Sequence, residues 1–140
     1  MSNPISNIIA LHTDKATFKK IAAIIVNKDR TNFNNILPAP EGLKGEDLAD
    51  WRRENWGCYG EGIYCCANAK RQEIEFETNH RGATLISAAL SRMFPDVKVE
   101  FWCEEPRWDE HWYSVTDFYL NGELLSHEEE RTDEDWDDED

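Results

Sequence analysis

The alternation of apolar and polar positions divides the chain into a succession of short elements. Residues 6–12, SNIIALH, are short and apolar and read as a first strand. In TDKATFKKIAAIIVNKD, Phe18, Ile21, Ala22 and Ile25 fall at i, i+3, i+4 and i+7, one face of a helix, and Thr13 or Asp14 is placed to cap it. GEDLADWRREN reads as a shorter helix with Leu48 and Trp51 on one side, stopped by Gly57. IYCCANAKR and EIEFETNH read as neighbouring strands. In the second, Ile74 and Phe76 alternate with Glu73, Glu75 and Glu77, so one face is apolar and the other is a row of carboxylates. RGATLISAALSRMF carries the helical stripe Ile86, Ala89, Leu90 and Met93, ended by Pro95. DVKVEFWCEE alternates Val97, Val99, Phe101 and Cys103 with Lys98, Glu100, Trp102 and Glu104. HWYSVTDFYL is a further strand, Asn121–Gly122 is a strong hairpin-turn signal, and ELLS is a short return strand.

Without the short middle helix and the last hairpin arm, this order is βαββαβ. The expected fold is therefore α+β: a ferredoxin-like split βαβ sheet with two main helices on one face, an extra short helix and a C-terminal hairpin. A length of 140 residues fits one domain. That domain is placed at residues 1–127, and residues 128–140, too charged to fold alone, are expected to form a disordered acidic tail. Between the first two helices, NFNNILPAPEGL (32–43) holds more apolar side chains than a connector needs. It reads as a brace: Ile36 and Leu37 clamped under the sheet or the second helix, Asn34 and Asn35 bonding local backbone, Pro38 and Pro40 keeping the exit extended.

Charge changes the picture. The formal net charge of −14 is unevenly distributed: +1 over residues 1–70, −6 over 71–127 and −9 over 128–140. Neither a basic leader with an apolar core nor a membrane-length apolar run is present. A cytoplasmic protein in a bacterial host is expected, with Cys58, Cys65, Cys66 and Cys103 as thiols and no membrane partner.

The segments NFNNILPAPEGL, RRENWGCYG, IEFETNH, SRMFPDVKVEFWCEE and LNGEL together resemble the small phage- and plasmid-borne proteins described as Api-ninety-two-like. The likeness spans about residues 5–125 and lies in scattered short motifs: Phe33–Pro40, Asn55-Trp56-Gly57, Phe76 with Thr78, and Phe94-Pro95. It implies a ferredoxin-like domain and a mobile-element origin, with no assigned reaction. After Asn-Trp-Gly this chain has Cys58-Tyr59-Gly60 where the family has Thr-Lys-Trp. After the Phe-x-Thr strand it has Asn79-His80-Arg81 where the family has an aromatic and prolines.

Candidate chemistry is sparse. The cysteines lack the close C-x₂₋₄-C pairing of zinc sites, the histidines 12, 80, 111 and 127 are dispersed, and no cofactor or metal is expected. GCYGEG is not followed by a helix and carries Glu61 where an anion would lie, so it reads as a turn. Two alternatives stay open: a small enzyme using Cys58 with His80 or His111 as base, and an accessory nucleic-acid-binding role for the face bearing Lys15, Lys19, Lys20, Lys28 and Arg30. The acidic balance disfavours the latter.

What remains is acidity interleaved with indoles. Trp102, Glu104, Glu105, Trp108, Asp109 and Glu110 form one cluster. Glu128, Glu129, Glu130, Asp133, Glu134, Asp135, Trp136, Asp137 and Asp138 form another. Such a surface suits a basic groove built for nucleic acid, where cations track phosphates and rings stack on bases. The expectation is a non-enzymatic interaction protein that blocks the nucleic-acid site of a basic host protein, of the CRISPR or restriction type. A patch plus tail is expected rather than a full duplex mimic, because a net of −5 over residues 1–127 is too dilute unless one face holds nearly all of it.

Overall fold

The computed structural model describes residues 4–106 and 112–131. In chain order they form β1 (Pro4–His12), α1 (Lys15–Ile25), β2 (Val26–Asn27), β3 (Arg30–Thr31), a 3₁₀ turn (Phe33–Asn35), α2 (Gly45–Asn55), β4 (Ile63–Asn68) and β5 (Glu73–Asn79). Then come α3 (Thr84–Met93), β6 (Lys98–Pro106), β7 (Trp112–Leu120) and β8 (Glu123–Arg131). The strands join in one sheet of order β2-β3-β4-β5-β1-β6-β7-β8, antiparallel throughout.

Each helix forms where the apolar stripe predicts one. Asp14 caps α1 by accepting from the Thr17 backbone N–H at 2.7 Å, and Phe18, Ile21 and Ile25 are buried. Beyond Ile25 the chain turns extended at Val26, so VNKD, read as helix, instead opens the small β2–β3 hairpin. The helices bury one sheet face: Ile9, Leu11, Ile74, Phe76, Val99 and Phe101 meet Phe18, Ile21, Ile25, Ile86 and Leu90 in one cluster. Asn7, also on that face, pins α3: its Oδ1 accepts from Ala83 N at 3.0 Å and its Nδ2 donates to Thr78 Oγ1 at 2.9 Å. Such a buried amide is tolerable because its donors and acceptor are matched.

The architecture corrects the expected ferredoxin-like split βαβ domain with two main helices. The sheet has eight strands and carries three helices. The return strand is not the short ELLS: β8 runs through Arg131, so the boundary drawn at 127 falls inside a strand. The reason is local. Every residue of β8 is exposed, so no apolar alternation marks it, and three successive glutamates read as tail. Residues 132–140 lie outside the described residues.

The segment 32–43 is a brace. Phe33 is fully buried, edge-on to Trp56 at 5.4 Å between centroids and to Phe76 at 5.5 Å. Trp56 Nε1 donates to Leu37 O at 2.8 Å, Asn35 Nδ2 donates to Ile24 O at 2.8 Å, and Ala39 N donates to Asn34 Oδ1 at 3.0 Å. Gly57 follows at φ +91, and a Cβ there would lie 3.0 Å from Gly82 O and 3.2 Å from the N atoms of Thr84 and Leu85. The Asn-Trp-Gly motif thus closes α2, fills the core and lets α3 begin close by. Asn121 and Gly122, at φ 50 and 80, make the predicted β7–β8 turn. No helix among the described residues is long and apolar enough to cross a membrane.

Candidate functional site

With all helices on one side, the other sheet face has no covering element among the described residues. Register assigns its side chains in three rows. The first runs Ile63, Glu77, Ser6, Glu104, Ser114, Glu130. The second runs Cys66, Glu75, Ile8, Trp102, Thr116, Glu128. The third runs Asn68, Glu73, Ala10, Glu100, Phe118, Ser126. Glu73, Glu75, Glu77, Glu100, Glu104, Glu128 and Glu130 therefore share one open surface. Alternate residues on a strand lie about 7 Å apart and neighbouring strands about 4.8 Å apart, so the group covers roughly 14 Å by 19 Å.

Counter-charge is scarce there. Glu100 meets His12 Nε2 at 2.8 Å, while Lys98 sits over the Phe118 ring at 4.7 Å rather than on a carboxylate. None of the other six glutamates forms an ion pair among the described residues. The lysines of α1 and the arginines of α2 belong to elements on the opposite side of the sheet. Within the acidic face Ile8, Tyr64, Cys66 and Trp102 line a notch beside Glu75 and Glu77.

The end of β7 and β8 that faces the helices carries a different arrangement. Asp117 is 2% exposed and its Oδ1 bonds His127 Nδ1. His127 Nε2 lies 3.3 Å from Glu129, which also accepts from Tyr113 OH and lies 3.6 Å from Arg131. The bond to Asp117 raises the His127 pKa above its usual 6.5, and the Tyr113 and His127 contacts lower that of Glu129 below 4.5. The His127 contribution to holding β8 is thus complete below pH 6.5 and is lost as pH rises through the raised value. That of Glu129 is complete above pH 4.5 and is lost as pH falls through the lowered value. Between those limits β8 is held most firmly. The stability advantage of the natural chain over His127→Gln, measured by urea unfolding across pH, is expected to shrink as pH climbs past about 6.5; an advantage independent of pH would contradict it.

Cys58 does not suit nucleophilic chemistry. It is fully buried, donates to Gly60 O at 3.3 Å, and burial pushes its thiol up to about 12. Burial likewise pushes Cys65 and Cys103 up to about 12, with Asp117 and Glu105 adding to the rise at Cys103. Glu61 is a structural acceptor, bonded by Thr31 Oγ1 at 2.7 Å and Phe33 N at 2.8 Å. Cys66 alone is an exposed thiol. Iodoacetamide on the native protein at neutral pH is expected to modify Cys66 well ahead of the others; mass spectrometry showing Cys58 or Cys103 modified first would refute this. Among the described residues no three His, Cys, Asp or Glu side chains converge as a metal site.

The sequence-predicted interface residues divide by strand parity. Trp102, Glu104, Glu128 and Glu130 share the open face. Glu105 and Glu129 point to the helix side, Glu105 lining a cavity at the start of α3 and Glu129 joining His127. Trp108, Asp109, Glu110, Asp133, Glu134, Asp135, Trp136, Asp137 and Asp138 lie outside the described residues. Sequence reasoning noted the Glu73, Glu75, Glu77 row but did not join it to Glu104 and Glu128, and it missed Tyr64. Comparison with protein families, curated proteins and solved structures finds no match.

Proposed function

We propose that this chain is a non-enzymatic inhibitor whose open acidic sheet face occupies the nucleic-acid-binding surface of a basic protein. The observation that carries this reading is the seven-glutamate face, uncovered and almost without counter-cations among the described residues. Its charge falls at one per about 3 Å across the strands, near the about 3.4 Å per charge of a single nucleic-acid strand and sparser than the about 1.7 Å of a duplex. The concentration of acid on one face is the condition that a net charge spread over the whole body could not meet. Seven further carboxylates follow Arg131 in the sequence and extend the same sign of charge. The resemblance to phage- and plasmid-borne proteins supports host defence machinery, of the CRISPR or restriction type, as the target class.

The test begins with capture of partners from bacterial extract and then measures function. A captured basic protein, once purified, should release a bound DNA fragment when this chain is added. A chain ending at Arg131, which keeps β8 whole, should still displace DNA, since it retains all seven glutamates of the face. Captured proteins whose DNA binding is indifferent to this chain would sink the reading.

A further inference from the structure

The pairing of β4 with β5 shifts register between Ile63 and Cys66, and within that bulge Tyr64 sits at φ +53. A non-glycine residue in this region costs on the order of 1–3 kcal/mol, and bulges serve to re-aim a side chain. The body of the protein gains little from it: the Tyr64 ring is 70% exposed and makes no hydrogen bond or ring contact among the described residues. Its ring helps line a cavity of about 380 Å³ on the acidic face, together with Ile8, Cys66, Glu75, Glu77 and Trp102. Trp102 pairs with Ile8, Ile8 with Glu75, and Glu75 with Cys66, so an apolar floor and carboxylates separate two aromatic walls.

We propose that this notch is the receptor for one arginine side chain of the partner. The assignment rests on the acidic face being the partner-binding surface, and it names the residue that anchors there. An apolar floor takes the aliphatic stem, Glu75 and Glu77 accept the planar fork of donors, and an indole or phenol face takes the guanidinium plane. Lysine fits less well, because its compact ammonium is more strongly hydrated and cannot stack. The volume lies near the lower end of the about 300–1,000 Å³ of ligand pockets, a size for one long side chain rather than a folded ligand. Aromatic and arginine anchors are also where interfaces concentrate their binding energy.

The test uses fluorescent nona-arginine and nona-lysine peptides with the full chain, read by anisotropy at physiological salt. The natural protein should bind the arginine peptide about fivefold more tightly, the ratio that one partly exposed cation–π contact gives. Trp102→Leu should erase that preference while keeping lysine-peptide affinity. Tyr64→Gly should also erase it while raising the melting temperature, because glycine accepts the left-handed backbone without strain. Bound arginine peptide should slow alkylation of Cys66 more than lysine peptide does at equal occupancy. Equal binding of both peptides, or a preference that survives both substitutions, overturns the notch and leaves the acidic face standing. Failure of both peptides to bind the natural protein overturns the face and the notch together.

Discussion

Trp56→Ala is expected to cost about 3–5 kcal/mol, as large-to-small changes of buried aromatics do. That is a large share of the about 5–15 kcal/mol by which domains are stable. The side chain is fully buried and ties the brace at Phe33 and Leu37 to α2 at Trp51 and Arg52. Its ring meets Phe33 at 5.4 Å and Trp51 at 5.9 Å, Arg52 lies 5.1 Å over it, and its N–H holds the Leu37 carbonyl at 2.8 Å. Alanine leaves a cavity and strips that carbonyl of its donor, so the brace over residues 33–37 loosens with it. Trp56→Phe keeps much of the packing and removes the donor, and should fall lower, at about 1–3 kcal/mol. Urea unfolding midpoints of the three proteins measure both numbers. A loss below about 1 kcal/mol for alanine would mean the brace does not hold the core.

Reversing three charges of the open face, Glu75→Lys, Glu77→Lys and Glu104→Lys together, should weaken binding to a basic partner by more than about 100-fold at low salt. Each change adds two units, taking the formal net charge from −14 to −8. Three attractions become repulsions within a patch that has few other cations. Folding should survive. Unit charges 7 Å apart repel by about 0.6 kcal/mol at the dielectric of water, and the substitutions trade these repulsions for attractions to Glu73, Glu128 and Glu130. The melting temperature should therefore hold or rise while binding collapses. The gap between natural and reversed proteins should narrow as salt is added, because exposed charges are screened within about 8 Å at physiological ionic strength. Isothermal titration against the partner, run beside thermal unfolding, separates the two effects. Undiminished binding by a folded triple variant would exclude this face as the contact.

Much of the fold was legible where one face of an element is buried. The α1 stripe, the Asp14 cap and the Ile74–Phe76 alternation all report a core that the sequence has to serve. Legibility ended where both faces meet water, as in β8, because burial no longer dictates which residue is apolar. With β8 read only as the short ELLS and the β2–β3 hairpin unread, the sheet looked smaller than it is. The acidic site was half legible for the same reason. Neighbours in sequence, Glu104 with Glu105 and Glu128 with Glu129, were grouped by proximity, although a strand sends them to opposite faces. The Asp117–His127 pair was hidden by one residue. An unbroken ladder from the Asn121–Gly122 turn pairs Asp117 with Ser126, and the irregularity between Phe118 and Tyr119 moves its partner to His127.

The inner position of β1 has a consequence for how the molecule is made. It pairs with β5 through Ile9 and Ile74 and with β6 through Ile9 and Phe101, so both of its neighbours emerge from the ribosome long after it does. At about 5–20 residues per second, the first strand waits several seconds with Ile5, Ile9 and Leu11 unburied. Until β5 and β6 arrive it is a ligand for chaperones or for other nascent chains.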